Sequence, residues 1–160
     1  MQIKKIELKD LKQALDIWNE VINEANAFPQ EFPLNEEEAK EFFTSQTYVG
    51  VAEENGEIYG VYILHPNNVG RVGHICNASF AVSSKSRGMH IGEKLVQDCL
   101  LKGKENGFRI LQLNAVVEDN IRARKLYEKL GFKQLGVIPN GFRLKDGTYT
   151  NICPYYVELI

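Results

Sequence analysis

The chain has 160 residues, 44% of them hydrophobic and 25% charged, which suits one globular domain over residues 1–160 with a sizeable core and excludes the disordered and fibrous classes. A formal net charge of −2 with no long basic run gives little of the electrostatic footprint that nucleic-acid binding needs, so no DNA or RNA partner is expected. No run of about eighteen apolar residues offers a membrane span, and Met1-Gln-Ile-Lys-Lys opens an alternating segment instead of a signal peptide, so the expected compartment is the cytoplasm.

Gln2 to Leu8 alternates polar and apolar as a half-buried strand does, and Asp10 is placed to cap a helix carrying Leu11, Ala14, Leu15, Ile17, Trp18 and Ile22 at helical spacing. Asn26 to Pro33, with two prolines and two phenylalanines, favours an irregular segment. Asn35-Glu-Glu-Glu then starts a short second helix with acids in its first turn, ending near Phe43. Two β-rich runs, from Thr47 and from Glu57, are separated by Asn55-Gly56 and predict an antiparallel hairpin. After a turn-rich stretch from Asn67 to Gly73, His74 to Val82 predicts a fourth strand.

Phe80-Ala-Val-Ser-Ser-Lys-Ser-Arg-Gly-Met-His-Ile-Gly-Glu-Lys-Leu95 carries the chain from that strand into a helix with Ile91, Leu95 and Cys99 on one face, ending between Gly103 and Gly107. The first amides of a helix lack internal partners and sit at the positive end of its dipole, so a phosphate suits them. Gly88 and Gly92 allow a sharp turn and close approach, and Lys85, Arg87 and Lys94 add positive charge, which points to a pyrophosphate. Taken alone, the same turn equally suits an ordinary strand-to-helix connection.

Arg109 to Val117 reads as a central strand, and Asn120 to Leu130 as a helix stopped by Gly131. Phe132 to Ile138 and Asn151 to Glu158 read as two closing strands. Asn120, Arg124 and Tyr127 fall within two turns of one helix and are spaced to address one elongated ligand. Cys76, Cys99 and Cys153 stand singly in apolar segments as buried thiols, without the paired spacing of metal or redox sites, so no metal is expected. Neither a dinucleotide-binding glycine motif after the first strand nor a Gly-Lys-Ser/Thr loop occurs.

Arg87-Gly88-Met89-His90-Ile91-Gly92 resembles the Arg-Gly-x-Gly-Ile-Gly turn of the GCN5-related N-acetyltransferases, with His90 in place of the middle glycine. Asn120-Ile-Arg-Ala-Arg-Lys-Leu-Tyr-Glu-Lys-Leu-Gly-Phe132 resembles that family's Asn-x-x-Ala-x-x-Leu-Tyr-x-Lys-x-Gly-Phe signature at every fixed position. The element order already argues an α/β (α+β) fold with a mixed sheet. The resemblance implies a mostly antiparallel seven-stranded sheet, about four flanking helices, and fourth and fifth strands splayed around the cofactor's thioester arm. It also implies acetyl-CoA as acyl donor and, by family habit, a homodimer.

Carried onto this chain, the resemblance assigns the diphosphate to Arg87, Gly88, Met89, His90, Ile91 and Gly92, and the rest of the cofactor to Phe80, Ala81, Val82, Asn120 and Arg124. Tyr127 is then the general acid for the departing thiolate, since a phenol of pKa about 10 is protonated at neutral pH. Candidate bases are His74 and Glu20, with Glu53 and Glu54 in reserve. Asn77 and Ser79 are the expected polar contacts of a small-molecule amine, in a site built from the first helix, Asn26 to Pro33 and Asn140 to Tyr149. Trp18, Phe28, Phe32, Phe142 and Tyr149 are available to line it. The reading from another class is a binding module that holds coenzyme A without transfer, as a sensor or partner subunit. His90 favours it; Asn120 and Tyr127 disfavour it.

Overall fold

The computed structural model describes residues 1–86 and 88–160. Arg87, assigned above to the anion-binding turn, lies outside the described residues. Among the described residues there are eight strands: β1 (Gln2–Lys5), β2 (Tyr48–Glu54), β3 (Glu57–Pro66), β4 (Ile75–Val82), β5 (Ile110–Val117), β6 (Lys133–Gln134), β7 (Ile138–Arg143) and β8 (Tyr149–Glu158). Four α-helices accompany them: α1 (Leu11–Glu24), α2 (Glu36–Thr44), α3 (Ile91–Glu105) and α4 (Ile121–Lys129).

The strands form one sheet in the order β1-β2-β3-β4-β5-β8-β6, with β7 also on β8. Every pairing is antiparallel except β4 with β5, which is parallel and holds only at Ile75 opposite Ile110 and Cys76 opposite Leu111. Beyond Cys76 the two strands part, as expected, and this splay positions the site.

Local chemistry explains most element ends. Asn55 and Gly56 both take positive φ (53° and 80°), the conformation a two-residue hairpin turn demands. Asn35 and Glu38 exchange reciprocal side-chain-to-backbone bonds at the start of α2. At the end of α4, Phe132 N–H reaches the Tyr127 carbonyl (2.9 Å) and Gly131 N–H that of Glu128 (3.2 Å), while Gly131 takes φ 95°.

Two apolar layers cover the sheet. Trp18, fully buried, packs with Phe28, Phe42 and Phe43 between α1, α2 and one face. On the other face α3 lies close enough to β3 that a Cβ on Gly60 would stand 2.8 Å from Ile91 and Leu95 side-chain carbons.

Three expectations are corrected. The sheet has an eighth strand, β7, which runs into the Asn140 to Tyr149 stretch read as a loop, and the strand expected from Phe132 to Ile138 is reduced to Lys133–Gln134. Asp10 does not cap α1; its carboxylate accepts the N–H of Glu7 at 2.9 Å and faces Lys4 Nζ at 3.1 Å. The end of α3 at Glu105 falls between Gly103 and Gly107 as expected, and Gly103 also serves packing, since a Cβ there would come 2.9 Å from the Leu159 side chain.

Candidate active site

The parting of β4 from β5 opens a cleft of about 330 Å³ through the sheet. Phe28 and Pro29 line it on the α1 side; Gly92, Val96, Leu126 and Tyr127 line it on the α3 and α4 side. Residue parity divides β4 between these ends. Ser83 N–H bonds the Tyr59 carbonyl, and Asn67 N–H the Ile75 carbonyl, each at 2.8 Å, so odd-numbered β4 residues turn their peptide groups to β3. The N–H groups of Ala78, Phe80 and Val82 therefore face the gap, in reach of a ligand's carbonyl. Ala81, expected among the cofactor residues, instead turns its peptide to β3 and buries its side chain against the α1 layer.

At the open end stands α3. Among the described residues Lys94 is the first of this helix whose N–H bonds back to an earlier carbonyl, that of His90 at 3.2 Å, and the amides of Ile91, Gly92 and Glu93 have no partner within the helix. Among the described residues no side chain caps this end, which leaves the helix dipole open to an anion. Gly88 has φ 80°, and His90 has φ 56° and ψ 33°, the left-handed conformation, instead of the helical dihedrals a side chain would prefer. Here lies the physical reason for glycine in the family's turn: His90 accepts a strain of about 1–2 kcal/mol that glycine avoids. Met89 N–H is occupied by the Ser86 carbonyl at 3.2 Å, so it is not among the free amides.

Asn120 precedes α4 and lines the cleft; its Oδ1 accepts the Ala123 N–H at 3.3 Å, which leaves its amide NH₂ for a ligand. Tyr127 lies on the cleft wall, its half-buried ring 6.3 Å from that of Phe80 and 5.4 Å from that of Phe132. Its hydroxyl has no hydrogen-bond partner among the described residues. Burial, with Cys99 nearby, holds this phenol well above its ordinary pKa, so it stays protonated throughout the neutral range.

Asn77 and Ser79 both line the cleft, on the strand face that also carries Ala81 and packs towards α1 and Phe28. Asn77 donates to the Gln112 carbonyl at 2.9 Å, bridging the strands just where they part. Asn114, on the exposed side of β5, joins the same wall and donates to Asn67 Oδ1 at 2.7 Å. A one-residue register shift between Leu113 and Val116 turns this stretch towards the cleft.

Other expected residues are not brought to the cleft. His74 is exposed and precedes β4 at the closed end of the splay, where its carbonyl accepts the Arg109 N–H. Glu20 accepts the Ser84 N–H at 2.9 Å and thereby steadies the turn before α3. Glu53 sits with Lys4 at 3.1 Å beside β1, and Glu54 meets the terminal amine at 3.2 Å. None of the four lines the cleft. Arg124 spends its guanidinium on Tyr155, Glu118 and Gln134 instead of on the cleft. Among the described residues, the cation on the cleft wall is Arg122, which sequence reasoning passed over. It precedes Leu126 by one turn, and Leu126 is the side chain nearest Gly92, so Arg122 lies on the stripe that faces the start of α3. Of the aromatic rings, Phe28 lines the cleft; Trp18 is core, while Phe32 and Tyr149 are exposed.

Residues 14–132 match the model of the acetyltransferase (GNAT) family. The chain belongs to that family. The N-acetyltransferase aca1 of Schizosaccharomyces pombe is 36% identical over 88 residues, which make up 55% of this chain and 42% of aca1. This chain thus matches less than half the length of that relative. A GCN5-related N-acetyltransferase from Kribbella flavida superposes with a TM-score of 0.91 at 28% identity, over 98% of this chain and 96% of that one. A phosphinothricin acetyltransferase from Sinorhizobium meliloti, solved in complex with acetyl-CoA, shares the fold with a TM-score of 0.90 at 20% identity, over 98% and 87% of the two chains.

Proposed function

We propose that this GNAT protein is an acetyl-CoA-dependent N-acetyltransferase that moves an acetyl group to the primary amine of a small molecule by direct attack. One observation carries the reading: the cleft between β4 and β5 has at its mouth helix amides, and on its wall the phenol of Tyr127, that have no partner among the described residues. The residues present suit the donor. The amides of Ile91 to Glu93, with Arg122, hold its diphosphate; Asn120 and the gap-facing amides of β4 hold its amide-bearing arm.

In the transfer, the amine nitrogen forms a bond to the thioester carbonyl carbon, and the carbon–sulfur bond breaks. The N–H of Phe80 or Val82 stabilises the negative charge on the carbonyl oxygen, and Tyr127 gives its proton to the sulfur. The resulting phenolate, more basic than an ordinary one, recovers a proton from the acetylated nitrogen through water. No carboxylate or imidazole stands among the described lining residues, so the acceptor enters as its neutral form or loses its proton to water. That lack of a base also favours a second reading, a module that binds acetyl-CoA without transferring it.

Thiol release over a panel of amines, amino acids, polyamines and peptides, after a thermal-shift check with acetyl-CoA, separates the two. Release with at least one amine supports the enzyme. Stabilisation by acetyl-CoA with no release on any acceptor supports the binding module.

A further inference from the structure

α4 is a nine-residue helix with no fully buried side chain, too short to be stable by itself, and its apolar hold on the core is the partly buried Leu126 and Tyr127, with Leu130 just beyond its end. A polar contact from beneath holds it in place. Tyr155, on β8 and wholly buried, accepts from Arg124 Nε at 3.1 Å and donates to Glu128 Oε1 at 3.0 Å. Arg124 and Glu128 are one turn apart and bracket Tyr127 in the chain, so the Tyr155 hydroxyl grips the turn that presents the Tyr127 phenol. Arg124 continues the contact to the Glu118 carbonyl at 3.0 Å and Gln134 Oε1 at 3.3 Å, tying the end of β5 and β6 to the same point. The rings of Tyr127 and Tyr155 lie 6.1 Å apart.

We propose that Tyr155, through its two bonds to Arg124 and Glu128, is a positioning residue that sets the depth at which the Tyr127 hydroxyl stands in the cleft. This rests on the general-acid role assigned to Tyr127 above. The sequence motif places Arg124 on the same helix as the cofactor residues; the structure gives its charge to positioning and leaves ligand contact to Arg122.

Tyr155→Phe keeps the ring and removes only the oxygen, so the variant folds. Misplacing a reacting group by about an ångström costs up to roughly a hundredfold in rate, and a partly loosened turn costs less. Tyr155→Phe is therefore expected to lower kcat by about tenfold while the KM for acetyl-CoA stays within about twofold. In a Tyr127→Phe background the same substitution is expected to cost nothing further, because both act through one hydroxyl. Hydrogen exchange is expected to quicken at the amides of Arg124 to Glu128 and not along β8.

An unchanged kcat, or an equal loss in both backgrounds, overturns the proposal. Failure of Tyr127→Phe to alter kcat instead removes the general-acid reading; exchange then decides the clamp alone, and unchanged exchange in α4 of Tyr155→Phe overturns it.

Discussion

The carbonyl of Tyr127 accepts the N–H of Phe132 at 2.9 Å while their rings lie 5.4 Å apart. One short stretch thus ends α4, turns the chain at Gly131 and seats Phe132 against the ring that lines the cleft. The Leu-Tyr-x-Lys-x-Gly-Phe spacing acquires a physical meaning: the glycine supplies the left-handed turn, the phenylalanine its apolar contact, and the tyrosine is fixed by both. Gly131→Ala, at φ 95°, is expected to lose about 1–2 kcal/mol of stability, read from urea denaturation.

His90→Gly is expected to do the reverse. Relief of the left-handed strain, about 1–2 kcal/mol, is offset by the greater freedom of glycine in the unfolded chain, about 0.4–1 kcal/mol. The net gain lies between about 0 and 1.6 kcal/mol, or a Tm rise of up to about 6 °C for a chain of this size. A fall in Tm would contradict the strain at φ 56°.

Gly92 separates space from charge. A Cβ there would meet Leu126 at 3.6 Å and Val82 at 3.9 Å, ordinary contact distances, so Gly92→Ala is expected to fold normally. Gly92→Asp adds a like charge beside the diphosphate and is expected to weaken acetyl-CoA binding at least tenfold more than Gly92→Ala, worth about 1.4 kcal/mol, by calorimetry.

Arg122→Gln tests the cation that the motif does not single out. Arg122 makes no hydrogen bond or ion pair with the described residues, so Tm is expected to hold within about 1 °C. The KM for acetyl-CoA is expected to rise about five- to tenfold and to become less sensitive to salt. Arg124→Gln is expected to show the opposite pattern, a lower Tm with little change in that KM.

Alkali is expected to destabilise the fold early. Burial, and for Tyr62 its 2.6 Å bond to Asp98, raises the phenols of Tyr62 and Tyr127 above their ordinary values, and burial pushes the Cys76 thiol up to about 12. The unfolded chain releases these protons first, near about 8.5 for the thiol and 10 for the phenols. The stability they confer is therefore full below about pH 8.5 and declines as pH rises beyond it. Urea midpoints that stay flat to about pH 11 would contradict this packing.

Much of this was legible because it is local. Asn55-Gly56, the start of α2 at Asn35 and the Gly131 stop are set by dihedrals and hydrogen bonds within a few residues. What escaped depends on distant partners. Arg122 and Arg124 are two residues and about 200° apart on one helix, and only Tyr155, 31 residues beyond Arg124, decides which guanidinium turns inward. His74 misses the cleft because β4 and β5 part after Cys76, a point that no feature of the β4 sequence marks. β7 escaped because Pro139, the left-handed Asn140 and Gly141 break its pattern, and nearly all of it is exposed.

A crystal structure with acetyl-CoA bound tests the central relationship most directly. The account predicts the diphosphate within hydrogen-bond distance of the Ile91, Gly92 and Glu93 amides, and the sulfur within about 3.5 Å of the Tyr127 hydroxyl. A diphosphate bound away from those amides, or a sulfur out of contact with that hydroxyl, would contradict it.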